Sequence, residues 1–332
     1  MLGQSAVSVL NESDTAGPFD DHEICLLHCA MATLVQHPRP SNSELLPGGN
    51  MWQPRAALAN CLRGTLVRNT VGSALSDAQR INHFPASPLC SLGWLFAGSS
   101  FLLSQPHGTP EQALSGERVS LPGRWVLAGP QTQPCATWTP GPAHGMMVMF
   151  MPDALHLLTG LEPTELTDRF VDASAFLAPD WLAMCQQVQD APDDATRLDT
   201  LEDFLDPRWQ ACRPTLPLHA HRYADWTVHL AQRAAQSGPG RSARQLERRV
   251  KRWSGLPLRE LRGLGRAEQA FFNVMTAQSE GTLSWAEIAV DNGYADQSHL
   301  CRTVRRITGF SPGTLRQGIQ REESFWAYRA WM

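Results

Sequence analysis

Arg244-Gln-Leu-Glu-Arg-Arg-Val-Lys-Arg-Trp-Ser-Gly-Leu-Pro-Leu-Arg-Glu-Leu-Arg262 and Ser298-His-Leu-Cys-Arg-Thr-Val-Arg-Arg-Ile-Thr-Gly-Phe-Ser-Pro-Gly-Thr-Leu-Arg316 read as one stretch used twice. At an offset of 54 residues Leu246 meets Leu300, Arg248 meets Arg302 and Val250 meets Val304; Gly255 then meets Gly309, Leu261 meets Leu315 and Arg262 meets Arg316. Register kept over nineteen positions predicts one structural unit present in two copies.

Each copy reads as a helix with a start and a stop. In the second, Leu300, Val304 and Ile307 recur at i, i+4 and i+7, an apolar stripe for a small core. Gln297, Ser298, Cys301, Arg302 and Arg305 fall on the opposite side. Gly309 stands where a left-handed cap is expected, and Ser311-Pro312 opens the next helix. Upstream, Ser284-Trp-Ala-Glu287 is a capping box before a short helix that ends at Asn292-Gly293. A short helix, a turn with Gly and an Arg-faced helix make a helix-turn-helix layout. The first copy has Ser242 as cap, Gln245 three residues on, and Leu246, Val250 and Trp253 as its stripe.

Charge separates this half from the rest. From Arg222 onward there are 17 Arg or Lys against 10 Asp or Glu, which leaves 11 against 22 in the residues before it. The net charge of −4 therefore hides an acidic front and a basic back, as expected where one module meets a polyanion. At 332 residues, two domains are expected. No apolar run nears the roughly 18 residues that span a bilayer. No basic, then apolar, leader opens the chain, so a cytoplasmic location is expected.

The front half reads differently. After a 1–50 extension come short apolar runs broken by Pro, Gly and Ser, among them Leu92–Ala97, Arg124–Ala128 and Gly145–Met151. Such runs predict strands of a sandwich or barrel. Helices are expected over Asp153–Gly160, Glu162–Phe170, Pro179–Gln189 and Ala195–Leu205. The expected class is α+β: a β-rich effector or dimerisation domain over 51–205 that ends in helices, a Pro-containing linker over 206–221, an all-α domain of two helix-turn-helix units over 222–321, and a tail over 322–332.

The segment Ile288-Ala289, Gly293-Tyr294-Ala-Asp-Gln-Ser-His-Leu300, Arg302, Gly309-Phe-Ser-Pro312 and Leu315-Arg316 resembles the C-terminal signature of the AraC/XylS family. The resemblance covers about thirty residues closely and 222–321 more broadly. It implies two helix-turn-helix units joined by a long helix over about Leu258–Ala277, with recognition helices entering major grooves about 34 Å apart. Carried over by position, Arg244, Glu247 and Arg248 in the first unit, and Gln297, Ser298, Cys301 and Arg302 in the second, would face bases. Arg suits guanine, Gln adenine, and Glu accepts from cytosine. Lys251, Arg252, Arg305 and Arg306 would contact phosphates. The first unit departs from the pattern, because Ser237-Gly-Pro-Gly-Arg-Ser242 makes a longer break than the second unit's turn.

The family implies a transcription regulator, an activator, with promoter DNA and RNA polymerase as partners and a homodimer as one form. The front domain would bind a small-molecule effector, or would only dimerise. An enzyme fused to such a DNA-binding domain is the rival class. No Gly-x-Ser-x-Gly, P-loop, His-Glu-x-x-His or dinucleotide fingerprint is present, and Cys135 is the nearest candidate for alkyl transfer. No enzyme, cofactor or metal is expected. His22, Cys25 and His28 share a spacing that suits either metal ligands or a plain amphipathic helix. His144, Trp94, Trp125 and Trp138 suit a ligand pocket or an ordinary core.

Overall fold

Glycine and serine alternate with large apolar residues in the central strands, and this alternation shapes the front half of the chain. The structure is a computed structural model that describes residues 49–106, 108–214, 222–237, 242–279 and 281–331. The N-terminal extension, with its expected helix and the His22, Cys25 and His28 group, lies outside the described residues.

Among the described residues, ten strands form two antiparallel sheets. They are β1 (Asn50–Trp52), β2 (Leu62–Asn69), β3 (Ile81–Phe84), β4 (Cys90–Ala97), β5 (Phe101–Leu103), β6 (Arg118–Ser120), β7 (Trp125–Ala128), β8 (Cys135–Trp138), β9 (His144–Phe150) and β10 (Phe170–Asp172). A short helix, α1 (Pro110–Ser115), precedes β6. The larger sheet runs β1-β2-β9-β4-β7-β10 and the smaller β3-β8-β5-β6.

Register gives the larger sheet two unlike faces. Leu92 sits beside Val148, and Cys90 beside Phe150. With Trp94 and Leu127 these side chains are buried against helices. On the other face Gly93 pairs with Met147 and Val126, Ser91 with Ala128, and Leu95 with Gly145. Successive residues of a strand point to opposite sides, so one face is bulky and the other small. Between the small face and the second sheet lies a cavity of about 450 Å³.

The helices on the bulky face are α2 (Pro152–Thr159), α3 (Pro163–Leu166), α4 (Pro179–Asp190) and α5 (Asp194–Cys212). Trp181, Met184, Leu198, Leu201 and Leu205 fill the space. Trp94 donates its indole N–H to the Cys185 carbonyl at 3.0 Å.

Two expectations change here. The helix expected over Glu162–Phe170 stops at Leu166. Asp168 turns to a left-handed φ of 57°, its carboxylate accepts from the Thr132 amide at 2.6 Å and hydroxyl at 2.7 Å, and the chain then adds β10 to the sheet edge. The linker expected from Asp206 begins later, because α5 continues through Pro207 to Cys212. Burial of Trp209, one helical turn beyond Leu205, outweighs the hydrogen bond that proline removes. Residues 215–221 lie outside the described residues.

The remaining helices are α6 (Tyr223–Gln236), α7 (Ala243–Ser254), α8 (Leu258–Ser279), α9 (Trp285–Asp291), α10 (Gln297–Thr308), α11 (Pro312–Arg321) and α12 (Trp326–Ala330). They pack directly on the β part. Glu268, on α8, pairs with Arg63 of β2 at 3.0 Å, each side chain 8% exposed, and accepts the first amide of α6, from Tyr223, at 2.7 Å. Asp153 of α2 accepts the Trp226 indole N–H at 2.9 Å and pairs with Arg233. The expected tail at 322–332 is a folded wedge, with Phe325, Trp326 and Tyr328 buried.

Removing one member of a buried ion pair leaves the other uncompensated. Glu268→Ala is expected to cost about 3–5 kcal/mol in urea unfolding of the full chain. A loss under about 1 kcal/mol, as at an exposed pair, would remove Glu268 as the anchor of α8.

Candidate nucleic-acid interface

The repeat seen in sequence is kept bond for bond. Helix α7 spans Ala243–Ser254 and α10 spans Gln297–Thr308, the same length at the same offset. At their starts, Ser242 accepts from the Gln245 amide and Asp296 from the His299 amide. At their ends, Gly255 and Gly309 adopt φ of 78° and 82° and close on Lys251 and Arg305 carbonyls, each at 2.8 Å.

The hydroxyls of the last turn repeat as well. Ser254 Oγ donates to Val250 at 2.7 Å, and Thr308 Oγ1 donates to Val304 at 2.8 Å. Each hydroxyl also accepts the amide two residues on, Leu256 at 3.3 Å and Phe310 at 3.2 Å. Chemistry this local is set by residue type, which explains why the two units keep it.

What differs is what lies beneath. The second unit has its own core of Ala270, Ile288, Ala289, Tyr294 and Leu300. The Tyr294 ring meets His299 edge-on at 5.3 Å, and burial raises its phenol pKa. Val304 is half-buried where Leu300 and Ile307 are buried, so the expected stripe is present. In the first unit Val250, Leu256, Leu261 and Leu264 belong to the main core shared with the β part. Its scaffold helix α6 runs fourteen residues, and the Arg249 guanidinium ties it to α7 through the Ala234 carbonyl at 2.9 Å.

Most expected DNA-facing residues are exposed. Arg244, Arg248, Gln297, Ser298 and Arg302 are exposed, as are Lys251, Arg252, Arg305 and Arg306; Cys301 is half-buried. Two are already engaged. Glu247 is half-buried, and its carboxylate accepts the first amide of α8, from Leu258, at 3.0 Å. It therefore caps a helix and is withdrawn from the expected base-reading set. Arg252 pairs with Glu162 at 2.7 Å, which holds the Glu162 carboxyl below its usual range and raises the guanidinium.

The end of α7 is docked there too. A side chain at Gly255 would lie 2.9 Å from Pro130 Cγ and 3.1 Å from the Pro163 carbonyl. Glycine meets both the left-handed turn and the close approach.

Of the aromatics weighed for a pocket, Trp94, Trp125 and Trp138 lie in cores, Trp94 also touching the cavity, and His144 pairs with Asp194 at 2.9 Å. Sequence reasoning missed the cavity. Its signal was the run of small residues, Ser91, Gly93, Ala128 and Gly145, inside strands. Among the described residues, no group of three or more His, Cys, Asp or Glu could hold a metal, and no helix is long and apolar enough to cross a membrane.

Residues 239–318 match the family model described as a helix-turn-helix domain. No curated protein matches the chain. Among solved structures it is similar to an apo form of ToxT from Vibrio cholerae strain SCE256, at 12% identity over 75% of this chain and 96% of that one, with a TM-score of 0.35. ToxT from V. cholerae O395 follows at 12% over 71% and 92% of the two chains, TM-score 0.31. ToxT of strain SCE256 bound to an unsaturated fatty acid gives 12% over 70% and 93%, TM-score 0.30.

Three substitutions separate the roles on this surface. Arg302→Ala should cost about 1–3 kcal/mol of DNA affinity and relax preference at one base position. Arg305→Ala should weaken all sequences alike and lower the salt slope by about one. Glu247→Ala should lower thermal stability by about 1 kcal/mol and leave base preference intact. Binding of the three variants to a randomised DNA library checks all of them, and a changed base preference in Glu247→Ala would return that residue to the reading surface.

Proposed function

We propose that the chain is a sequence-specific DNA-binding transcription regulator of the AraC type, with residues 239–318 its helix-turn-helix domain and a β part that binds a small-molecule effector. The observation that carries this reading is the duplicated recognition helix, α7 and α10, with matching caps and exposed arginines on each. Two such helices on one long α8 suit two successive major grooves of one DNA face.

Arg244, Arg248 and Arg302 suit guanine, Gln297 suits adenine, and Ser298 and Cys301 lie beside them. Lys251, Arg305 and Arg306 suit phosphates, which position the protein without reading sequence. Arg252 joins them when it leaves Glu162. The acidic front keeps the β part off the polyanion, so DNA approaches the basic half. On this reading the chain acts at a promoter, where RNA polymerase is its further partner.

The cavity supports the effector over a front domain that only pairs with a second copy. Its size suits a small organic molecule, and residues from both sheets and the C-terminal segment line it. An enzyme is disfavoured at the one cysteine weighed for it: burial pushes the Cys135 thiol up to about 12, and the thiolate is the nucleophile.

Selection of bound fragments from genomic DNA should return half-sites one helical turn apart, about 10 bp centre to centre. Log affinity should fall linearly with log salt. Recovery without a shared motif would overturn the sequence-specific reading. Gly93→Val tests the effector. The added Cβ meets nothing closer than 3.7 Å, so the chain should fold, while the cavity is filled. A metabolite that raises the wild-type melting temperature should no longer raise that of the variant.

A further inference from the structure

The last residues of the chain face two ways. Phe325 and Tyr328 pack with Phe310, Leu315 and Ile319 beneath the second unit. Trp326 turns to the β part, donating its indole N–H to Asn82 Oδ1 at 2.8 Å, with the Arg68 guanidinium 5.1 Å from its ring centroid. Trp326 and Trp331 both line the cavity between the sheets. The segment is thus one wall of the cavity and one layer of the second unit's core.

Charge at that wall is uneven. Among the described residues, Arg68 and Arg124 are the only charged ones that line the cavity, and no carboxylate does. Arg68 is 11% exposed and meets one acid, Glu323 Oε1 of the C-terminal segment, at 3.3 Å. Its other partners are neutral oxygens, Asn82 Oδ1 and the Gln79 carbonyl. Burial pushes the Arg68 guanidinium down to about 10, as for a cation with little compensation. Glu323 is shared, since its Oε2 accepts from Arg329 at 2.9 Å.

We propose that the cavity takes an organic monoanion with an apolar body, whose anionic group replaces Glu323 on Arg68 and so releases the C-terminal segment from the β part. This rests on the regulator reading above and names its effector class. The apolar body is matched by Leu66, Phe84, Met147 and Met149, which stay in place when the C-terminal segment leaves. The exchange is feasible because Arg68 keeps an anionic partner throughout, so no buried charge is stranded. Glu323 keeps Arg329 and gains water. Once Trp326 loosens, Phe325 and Tyr328 move with it, and the floor of the second unit changes. Occupancy is thereby transmitted to α10 through packing.

The test uses the full chain with two fluorescent probes, anilinonaphthalene sulfonate and its uncharged analogue phenylnaphthylamine. Arg68→Gln should weaken the sulfonate at least about tenfold and leave the neutral probe little changed. Glu323→Gln should tighten the sulfonate and not the neutral probe. Hydrogen exchange of residues 322–331 should rise when the sulfonate binds. Equal sulfonate affinity in wild type and Arg68→Gln would overturn the proposal, as would unchanged or weaker affinity in Glu323→Gln. Glu323→Gln keeps the test intact if Arg68→Gln misfolds, because it keeps the shape of a half-buried side chain and removes only its charge. DNA binding is measured on the same samples: its absence in wild type sinks the regulator reading, while the probe data still judge the site.

Discussion

Two oxygens of Glu268 hold three parts of the molecule at once. One pairs with Arg63 in β2 and the other accepts the opening amide of α6, while the residue itself lies midway along α8. Because α8 carries one helix-turn-helix unit at each end, this single carboxylate sets how both sit on the β part. A buried ion pair is costly unless both charges are satisfied. The carboxylate meets this requirement with two donors, whereas the Arg63 guanidinium, 4.9 Å from the Trp331 ring centroid, keeps a buried Nε with no hydrogen-bond partner among the described residues. The contact is specific more than it is strong, and it forbids sliding of α8 along the sheet.

Around that anchor the two units are attached differently. The first is fastened along its length: Trp226 and Arg233 to Asp153, Arg252 to Glu162, and Gly255 against Pro130 and Pro163. The second has its own small core and touches the β part at few points, among them the Ala86 amide on the Ile307 carbonyl at 2.8 Å and the C-terminal wedge. One helix-turn-helix unit is therefore a fixed part of the body, and the other is the part a modest change can move. Local stability follows the density of buried contacts, which favours the second unit as the mobile one.

The larger sheet explains how a cavity and a packed core coexist in few residues. Its bulky face, with Leu92, Trp94, Val148 and Phe150, supplies the apolar burial that folds the front half. Its small face, with Ser91, Gly93, Ala128 and Gly145, gives up packing and leaves space. A void costs stability in proportion to lost contacts. Closing it with residues from the far end of the chain lets the same space report on the DNA-binding half.

The recognition helices were legible from the chain alone because everything that defines them is local. Stripe, cap and terminal glycine lie within fourteen residues, and the repeat doubled each signal. The class and the central strands β4, β7 and β9 followed from short apolar runs, and the long helix from the family resemblance. What escaped were the points at which distant residues compete with local preference. Asp168 breaks a helix because Thr132 is near, Pro207 stays helical because Trp209 is buried, and Glu247 leaves the DNA face to cap α8. The cavity and the two-faced C-terminal wedge depend on strands and side chains up to 255 residues apart, as Arg68 and Glu323 are. Spacing along a chain records what one helix or strand prefers. Which of those preferences survive is decided by packing, and packing exists only once the fold has formed.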